Sequence, residues 1–304
     1  MPARILLILL LMLSLLSIPS LHGGEIALSF DDAPRGDGAF FSGQQRTETL
    51  IRKLRDLKVP QVIFFCTTQH ISRHQGAARL TAYARAGHLL ANHTHTHPNA
   101  KRTEIEAYIG DIRQAHDLLR DRPGFSPFFR FPMLNQGRDS TQQSQVQHAL
   151  KDMGYQHGYV TVDNYDWSLN LLVTLAKRDG KTVDMDGLKQ AYCQILWSCI
   201  QHYDQLAQKT LGRSPRHVLL LHENDLAALF IDALVTHIRA KGWKIISPTV
   251  AYQDPLVEVL PKQLCNQGRI ACLATEAGVT KAAGHVSEDT DYLKRILAER
   301  KIFK

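Results

Sequence analysis

Short apolar runs along this chain alternate with stretches in which apolar residues recur every three or four positions. Seven runs stand out: Ile26 to Phe30, Val62 to Cys66, His88 to Asn92, Phe128 to Phe131, Tyr159 to Val162, Val218 to Leu221 and Trp243 to Ile246. Between them, Thr47 to Leu57 sets Leu50, Ile51, Leu54 and Leu57 on one face, and Thr103-Glu104-Ile105-Glu106 reads as a capping box opening a helix to about Leu119. Ser140 to Met153 and Asp225 to Lys241 continue the alternation, with Gly87, Gly154 and Gly242 following as helix stops. Strand runs that alternate with helical periods predict repeated βα units around a parallel sheet.

The rhythm breaks once, between Trp167 and Arg216, where a long interval separates two runs. Leu188, Tyr192, Ile195, Cys199, Tyr203 and Leu206 keep a period of three to four, so most of this insertion, about 168–216, is expected to be one long amphipathic helix. Packing is the ordinary role of such a helix; its place in the chain also suits a part in substrate selection. After residue 254 the strands stop. Residues 255–304 hold a turn-like loop between Cys265 and Cys272, a Gly/Ala/Thr/Lys segment expected to be mobile, and a last helix with Leu293, Ile296 and Leu297 on one side. We therefore expect one domain over 23–254 with a helical tail appended over 255–304.

Composition changes this picture little. The 304 residues are 44% hydrophobic, as in an ordinary globular protein, and length alone allows one large domain or two small ones. A formal net charge of +7 favours anionic surroundings such as a cell wall or membrane surface, but no basic run is long enough to argue for nucleic acid. The N-terminus matters more. Arg4, an apolar run from Ile5 to Leu16 and then Ser17-Ile18-Pro19-Ser20 have the layout of a secretory signal peptide over 1–22, too short to span a bilayer comfortably. An exported protein, periplasmic or secreted and without a membrane span after signal removal, is the expectation; an uncleaved anchor is the alternative. Export permits disulfides, and five cysteines leave at least one over. Cys265 and Cys272 flank a turn-like loop able to bring them together, and Cys66 reads as a buried small hydrophobe. Cys193 and Cys199 sit about 9 Å apart along a continuous helix, beyond disulfide reach.

Candidate chemistry gathers after the strands. In Asn92-His93-Thr94-His95-Thr96-His97-Pro98, His93 and His97 stand four apart, the spacing that puts two imidazoles on one face of a helical turn where both reach one metal ion; His95 points elsewhere. Such pairs also occur by chance on solvated helices. Here they have company at the same kind of place: Asp31 and Asp32 end the first run, Arg130 and Pro132 close the fourth, Asp163, Asp166 and Trp167 follow the fifth, and His222 ends the sixth. In a parallel barrel, catalytic groups collect at the C-terminal strand ends.

Taken in order, Ser29-Phe30-Asp31-Asp32, His93-Thr94-His95-Thr96-His97, Arg130-Phe131-Pro132, Asp163-Asn164-Tyr165-Asp166-Trp167 and Leu220-Leu221-His222 resemble the five motifs of the polysaccharide deacetylases, carbohydrate esterase family four. The resemblance spans roughly residues 25–254 and omits the tail. It implies an α/β fold, a deformed (β/α)7 barrel, carrying a helical insertion before strand 6 and a C-terminal helical tail. It implies Asp32, His93 and His97 as metal ligands, usually for Zn2+, with Co2+ or Ni2+ as other divalent ions; Asp31 as general base; His222 as general acid; Arg130 orienting the base and Asp166 the acid. Trp167, Leu220, Met133 and Asp163 would line the substrate site, with a backbone N–H near Met133 at the oxyanion. Met133 stands where the family often has Tyr and Ala33 where it usually has Gly, departures that bear on substrate rather than reaction.

The implied activity is hydrolysis of N-acetyl groups from an N-acetylated glycan, of peptidoglycan or chitin type. Two other readings keep the fold: a hydrolase of another amide, formyl or ureido, on a small or lipid-linked sugar, and a glycan-binding protein without catalysis, which would be expected to lack the base or the acid. The ordinary structural alternatives are an Arg130–Asp166 ion pair, Trp167 and Leu220 as core, His222 as a satisfied core histidine, and Asp31 and Asp32 as turn or cap residues.

Overall fold

The computed structural model describes residues 23–264 and 266–304. The signal-peptide reading of 1–22, and Cys265, fall outside the described residues. In chain order the main elements are β1 (Glu25–Ala33), α1 (Gly43–Asp56), β2 (Ile63–Cys66), α2 (Gly76–Arg85), β3 (Leu89–Asn92), α3 (Ile105–Leu119), β4 (Phe125–Phe129), α4 (Ser140–Asp152) and β5 (Gln156–His157). There follow α5 (Asp166–Arg178), α6 (Met185–Leu211), β6 (Arg216–His222), α7 (Asp225–Ala240), β7 (Lys244–Ile245), α8 (Pro248–Ala251), α9 (Arg269–Glu276) and α10 (Thr290–Glu299).

The sheet is parallel and curled, in the order β5-β4-β3-β2-β1-β6, with β7 against the first two residues of β1. Ile26, Ala27, Leu28 and Phe30 of β1 and all of β2 are fully buried, as strands covered on both faces by helices must be. The edges then approach each other. Val162 bridges to Leu219 of β6, and Leu220 N–H donates to the Val162 carbonyl at 3.1 Å, so the sheet bends into the deformed barrel. This is why the expected strand at Tyr159–Val162 is displaced. The segment pairs with β4 through Gln156 and His157, then crosses to β6, dividing its backbone hydrogen bonds between two neighbours.

Other differences are local. Thr103 forms no capping box: its hydroxyl donates to the Asn99 carbonyl at 2.8 Å, closing the turn before α3, and Glu104 becomes the N-cap. The box forms instead at Ser42 and Gln45, ahead of α1. Most of the insertion is the expected long helix, α6, but a second helix, α5, precedes it, because Gly180 takes a left-handed turn after α5 and the Asp184 side chain caps α6 by accepting from Gly187 N–H. All six residues of the expected stripe on α6 are buried.

Cys66, Cys193 and Cys199 are free thiols, and Cys272 is disulfide-bonded. The tail continues the main core rather than trailing from it: Leu256, Ile270, Ala271, Leu273, Leu293, Leu297 and Ile302 pack in the same cluster as the strands. Among the described residues, no helix is long and apolar enough to cross a membrane.

Candidate active site

Adjacent residues on a strand point to opposite faces, so Asp31 and Asp32 should not share a site. A bulge solves this. Asp31 pairs with Phe65 and Ala33 with Cys66, leaving Asp32 as the extra residue, with φ at 69°. Asp is among the residues that tolerate this left-handed conformation, and the bend turns both carboxylates toward one cleft. That cleft, of about 770 Å³, opens at the C-terminal strand ends.

Asp31 is almost fully buried, and its Oδ1 accepts from Arg130 Nη1 at 2.5 Å. Arg130 is held on every side: Nη1 also donates to Ser29 Oγ at 2.9 Å, Nε to the Gly158 carbonyl at 2.8 Å and Nη2 to Tyr252 Oη at 3.2 Å, while the guanidinium lies 3.9 Å over the Phe65 ring. Asp31 Oδ2 is 3.6 Å from His93 Nε2. No ion pair joins Arg130 to Asp166; the two serve different partners. Asp166 Oδ1 meets His222 Nδ1 at 2.6 Å, and Oδ2 accepts from His222 N and Asn224 Nδ2, both at 3.0 Å. Burial disfavours a charged His222, but Asp166, then Asp32 and Asp31, outweigh it and raise the imidazole to about 9.

The histidine pair is not on a helical turn. Residues 93–97 form a loop in which Thr94 and His97 both have positive φ, at 70° and 60°. A β-branched residue in that region is strained, and surrounding bonds hold it there. Thr94 N–H donates to Asn92 Oδ1, His97 N–H to Thr94 Oγ1, and the N–H groups of His95 and Thr96 to Asp111 Oδ1. His95 turns away to Thr68 Oγ1 at 2.8 Å. Asp111 and Arg35, whose Nη1 reaches Asp32 Oδ2 at 2.9 Å, were not foreseen from sequence; neither lies in a motif, though Arg35 follows Asp32 by only three residues.

Asp32, His93 and His97 each offer an atom within 4.8 Å of the others. Asp32 Oδ1 lies 3.4 Å from His97 Nε2 and 3.8 Å from His93 Nε2, close to the separation of roughly 3.3 Å between donors about 2.0 Å from one tetrahedral ion. Among the described residues that oxygen is buried without a hydrogen-bond partner, which a cation would supply. His93 Nδ1 is bonded to the Arg130 carbonyl at 2.8 Å, fixing the ring with Nε2 inward. Protonation states agree. Burial lowers His93 to about 4, and although burial opposes an ionised Asp32, the charges of His222, His97 and Arg35 hold it at about 2. A neutral imidazole and an ionised carboxylate are the ligating forms. The donor set fits a divalent metal.

Trp167 and Met133 stand out into the cleft, 39% and 54% exposed, whereas Leu220 lines it from an otherwise buried position. Met133 has φ 56°, and the N–H groups of Leu134 and Asn135 after it are used within the turn, bonding Phe131 and Pro132 carbonyls. Asp163 also lines the cleft. Three lining residues come from the tail, Asn266, Gln267 and Glu288. Sequence reasoning missed them because the tail carries none of the five motifs.

Residues 20–158 match the family described as polysaccharide deacetylase. Over these residues the chain carries a polysaccharide deacetylase domain, of a family whose members are hydrolases of N-acetyl amide bonds. A peptidoglycan-N-acetylglucosamine deacetylase of Bacillus cereus is 21% identical over 235 residues, 75% of this chain and 68% of its own. A chitooligosaccharide deacetylase of Rhizobium leguminosarum bv. trifolii is 30% identical over 95 residues, 31% of this chain and 39% of its own. The crystal structure of a polysaccharide deacetylase from Bacillus cereus shares the fold, with TM-score 0.54 at 17% identity, covering 74% of this chain and 91% of that one.

Proposed function

We propose that this polysaccharide deacetylase is an exported, metal-dependent enzyme that removes N-acetyl groups from peptidoglycan or a chitin-type oligosaccharide. One observation carries the reading: the Asp32, His93 and His97 donors lie within 4.8 Å of one another in the cleft that also holds Asp31 and His222. These three residues would hold the ion, zinc by preference for a two-imidazole, one-carboxylate set, with cobalt or nickel as alternatives. When bound, such an ion supplies Lewis-acid polarisation of a carbonyl and lowers the pKa of water.

The chain's own groups perform the proton transfers. Asp31 presents Oδ2 to the cleft while Arg130 occupies Oδ1, so the base is aimed and its free oxygen takes the proton of the attacking water. The Met133 N–H, on its left-handed turn, is the proposed donor to the oxyanion. His222 has its Nδ1 bound to Asp166, which leaves Nε2 to protonate the departing sugar amine. Asp166 keeps that proton in place and orients the ring. Trp167 offers an exposed aromatic face to the sugar, and Leu220 an apolar surface to the acetyl methyl.

Purified protein supplied with zinc is expected to release acetate from N-acetylglucosamine oligomers or cell-wall glycan. Tight glycan binding with no acetate release under zinc, cobalt or nickel would overturn the reading in favour of a binding protein; release only of formate or a ureido product would move the substrate class.

A further inference from the structure

The tail-side lining of the cleft holds two carboxyl groups that the proton-transfer scheme does not use. Asp163, just beyond the strand segment that closes the barrel, is 9% exposed. Its Oδ1 accepts from Asn164 N–H at 2.8 Å, and among the described residues its Oδ2 has no hydrogen-bond partner. Glu288, from the tail, lines the same cleft, and both of its hydrogen bonds fall on Oε1, from Tyr203 Oη at 2.6 Å and His285 N–H at 2.9 Å. Burial, and next the charge of Glu288, push Asp163 well above the usual carboxylate range; burial raises Glu288 too, against the hydrogen bonds from Tyr203 and His285, and Glu288 is the member whose negative charge the other feels. A carboxyl group that is nine-tenths buried and lines a cleft with one oxygen unpartnered by the protein is completed by a ligand or water.

The neighbours point to a sugar. Tyr165 and Trp167 follow Asp163 with rings 5.0 Å apart, and both line the cleft. The sign of the charge is equally plain. Of the cleft's cations, Arg35 is bound to Asp32, Arg46 is buried against Asp225 and Glu223, and protonated His222 is held by Asp166. Among the described residues, the pair of Asp163 and Glu288 has no cationic side chain as a hydrogen-bonding partner, although the chain as a whole carries +7.

Resting on the deacetylase reading above, we propose that Asp163 and Glu288 form a sugar subsite that accepts the hydroxyl groups of an uncharged N-acetylhexosamine and repels a sugar bearing a free carboxylate. The substrate class is then a chitin-type oligosaccharide rather than a glycan with exposed lactyl carboxylates. Glu288 is a specificity-determining residue, held in place by α6 through Tyr203, which gives the insertion and the tail a shared task.

The test compares kcat/KM on an N-acetylglucosamine oligomer with that on a peptide-free oligosaccharide of equal length containing N-acetylmuramic acid, for the full chain with zinc. Wild type should favour the neutral oligomer. Glu288→Gln, isosteric and still able to accept from Tyr203 and His285, should raise the relative rate on the carboxylate-bearing glycan by about fivefold or more as the repulsion is lost, and Glu288→Lys should raise it further. Thermal melts identify any variant that fails to fold, and the ratio in the other variant then decides. An unchanged ratio in folded, active variants overturns the subsite, as does a wild type that prefers the muramic-acid glycan. Absence of acetate release from either glycan by wild type would instead sink the deacetylase reading itself.

Discussion

The strand ends and the C-terminal tail line one cleft but are built on opposite terms. At the strand ends nearly every charged group is committed: Arg130 donates four hydrogen bonds, Asp166 accepts three, and Glu223 is enclosed by Arg46, Arg79, Tyr83 and the Arg35 N–H. On the tail side, Asp163 and Glu288 each keep one oxygen without a protein partner among the described residues. On the proposed roles, groups that must meet a reaction in one orientation are fixed in advance, whereas groups that meet a variable sugar keep capacity for it.

The contrast can be broken most severely at the base. Asp31→Asn should lower kcat by about 10²- to 10⁴-fold in an acetate-release assay; full activity in that variant would remove the role given to the strand-end wall. Next comes the buried network beneath it. Glu223→Gln leaves Arg79 and Arg46 short of a counter-charge in a fully buried place and should cost about 3–5 kcal/mol in denaturant unfolding. A loss under 1 kcal/mol would mean that this wall is less rigid than its bonding suggests.

Zinc should raise the melting temperature of the wild type, by the equivalent of about 2.7 kcal/mol at a hundredfold excess over Kd, and leave His97→Ala almost unmoved. The alkaline limb reports the acid. As the proposed acid, His222 works while protonated, below its pKa, and burial is overruled by Asp166 to give about 9, so kcat/KM should fall above that pH. Asp166→Asn removes the charge that raises it, and the fall should move to lower pH. The smallest effect belongs to the sugar wall: Trp167→Ala should raise KM about tenfold or less with kcat nearly kept, as for the loss of one aromatic contact.

How far the sequence could be read follows the same division. Asp31, Asp32, His93, His97, Arg130, Asp166 and His222 stand in short motifs just after apolar runs, because a parallel barrel brings every strand end to one mouth, and all of them do meet there. What periodicity could not convey was how they meet. The bulge at Asp32 is a backbone event with no side-chain signature, and the His93–His97 loop imitates helical spacing while obeying Asn92 and Asp111. The fifth strand was misplaced because its residues pair with two different neighbours. Glu288 was out of reach, since its approach to the cleft depends on the packing of α6 and the tail, a relation between distant segments that no local pattern records.

Arg130 ties three distant segments together. Its guanidinium is gripped by a carboxylate from the first strand, a carbonyl from the segment that seals the ring and a phenol from near the final strand. Aiming the base and shutting the cylinder are thus a single event, so a chain caught halfway through folding, or nicked at the seam, should be silent rather than indiscriminate. For a hydrolase of glycan amides, that coupling is a safeguard written into one side chain.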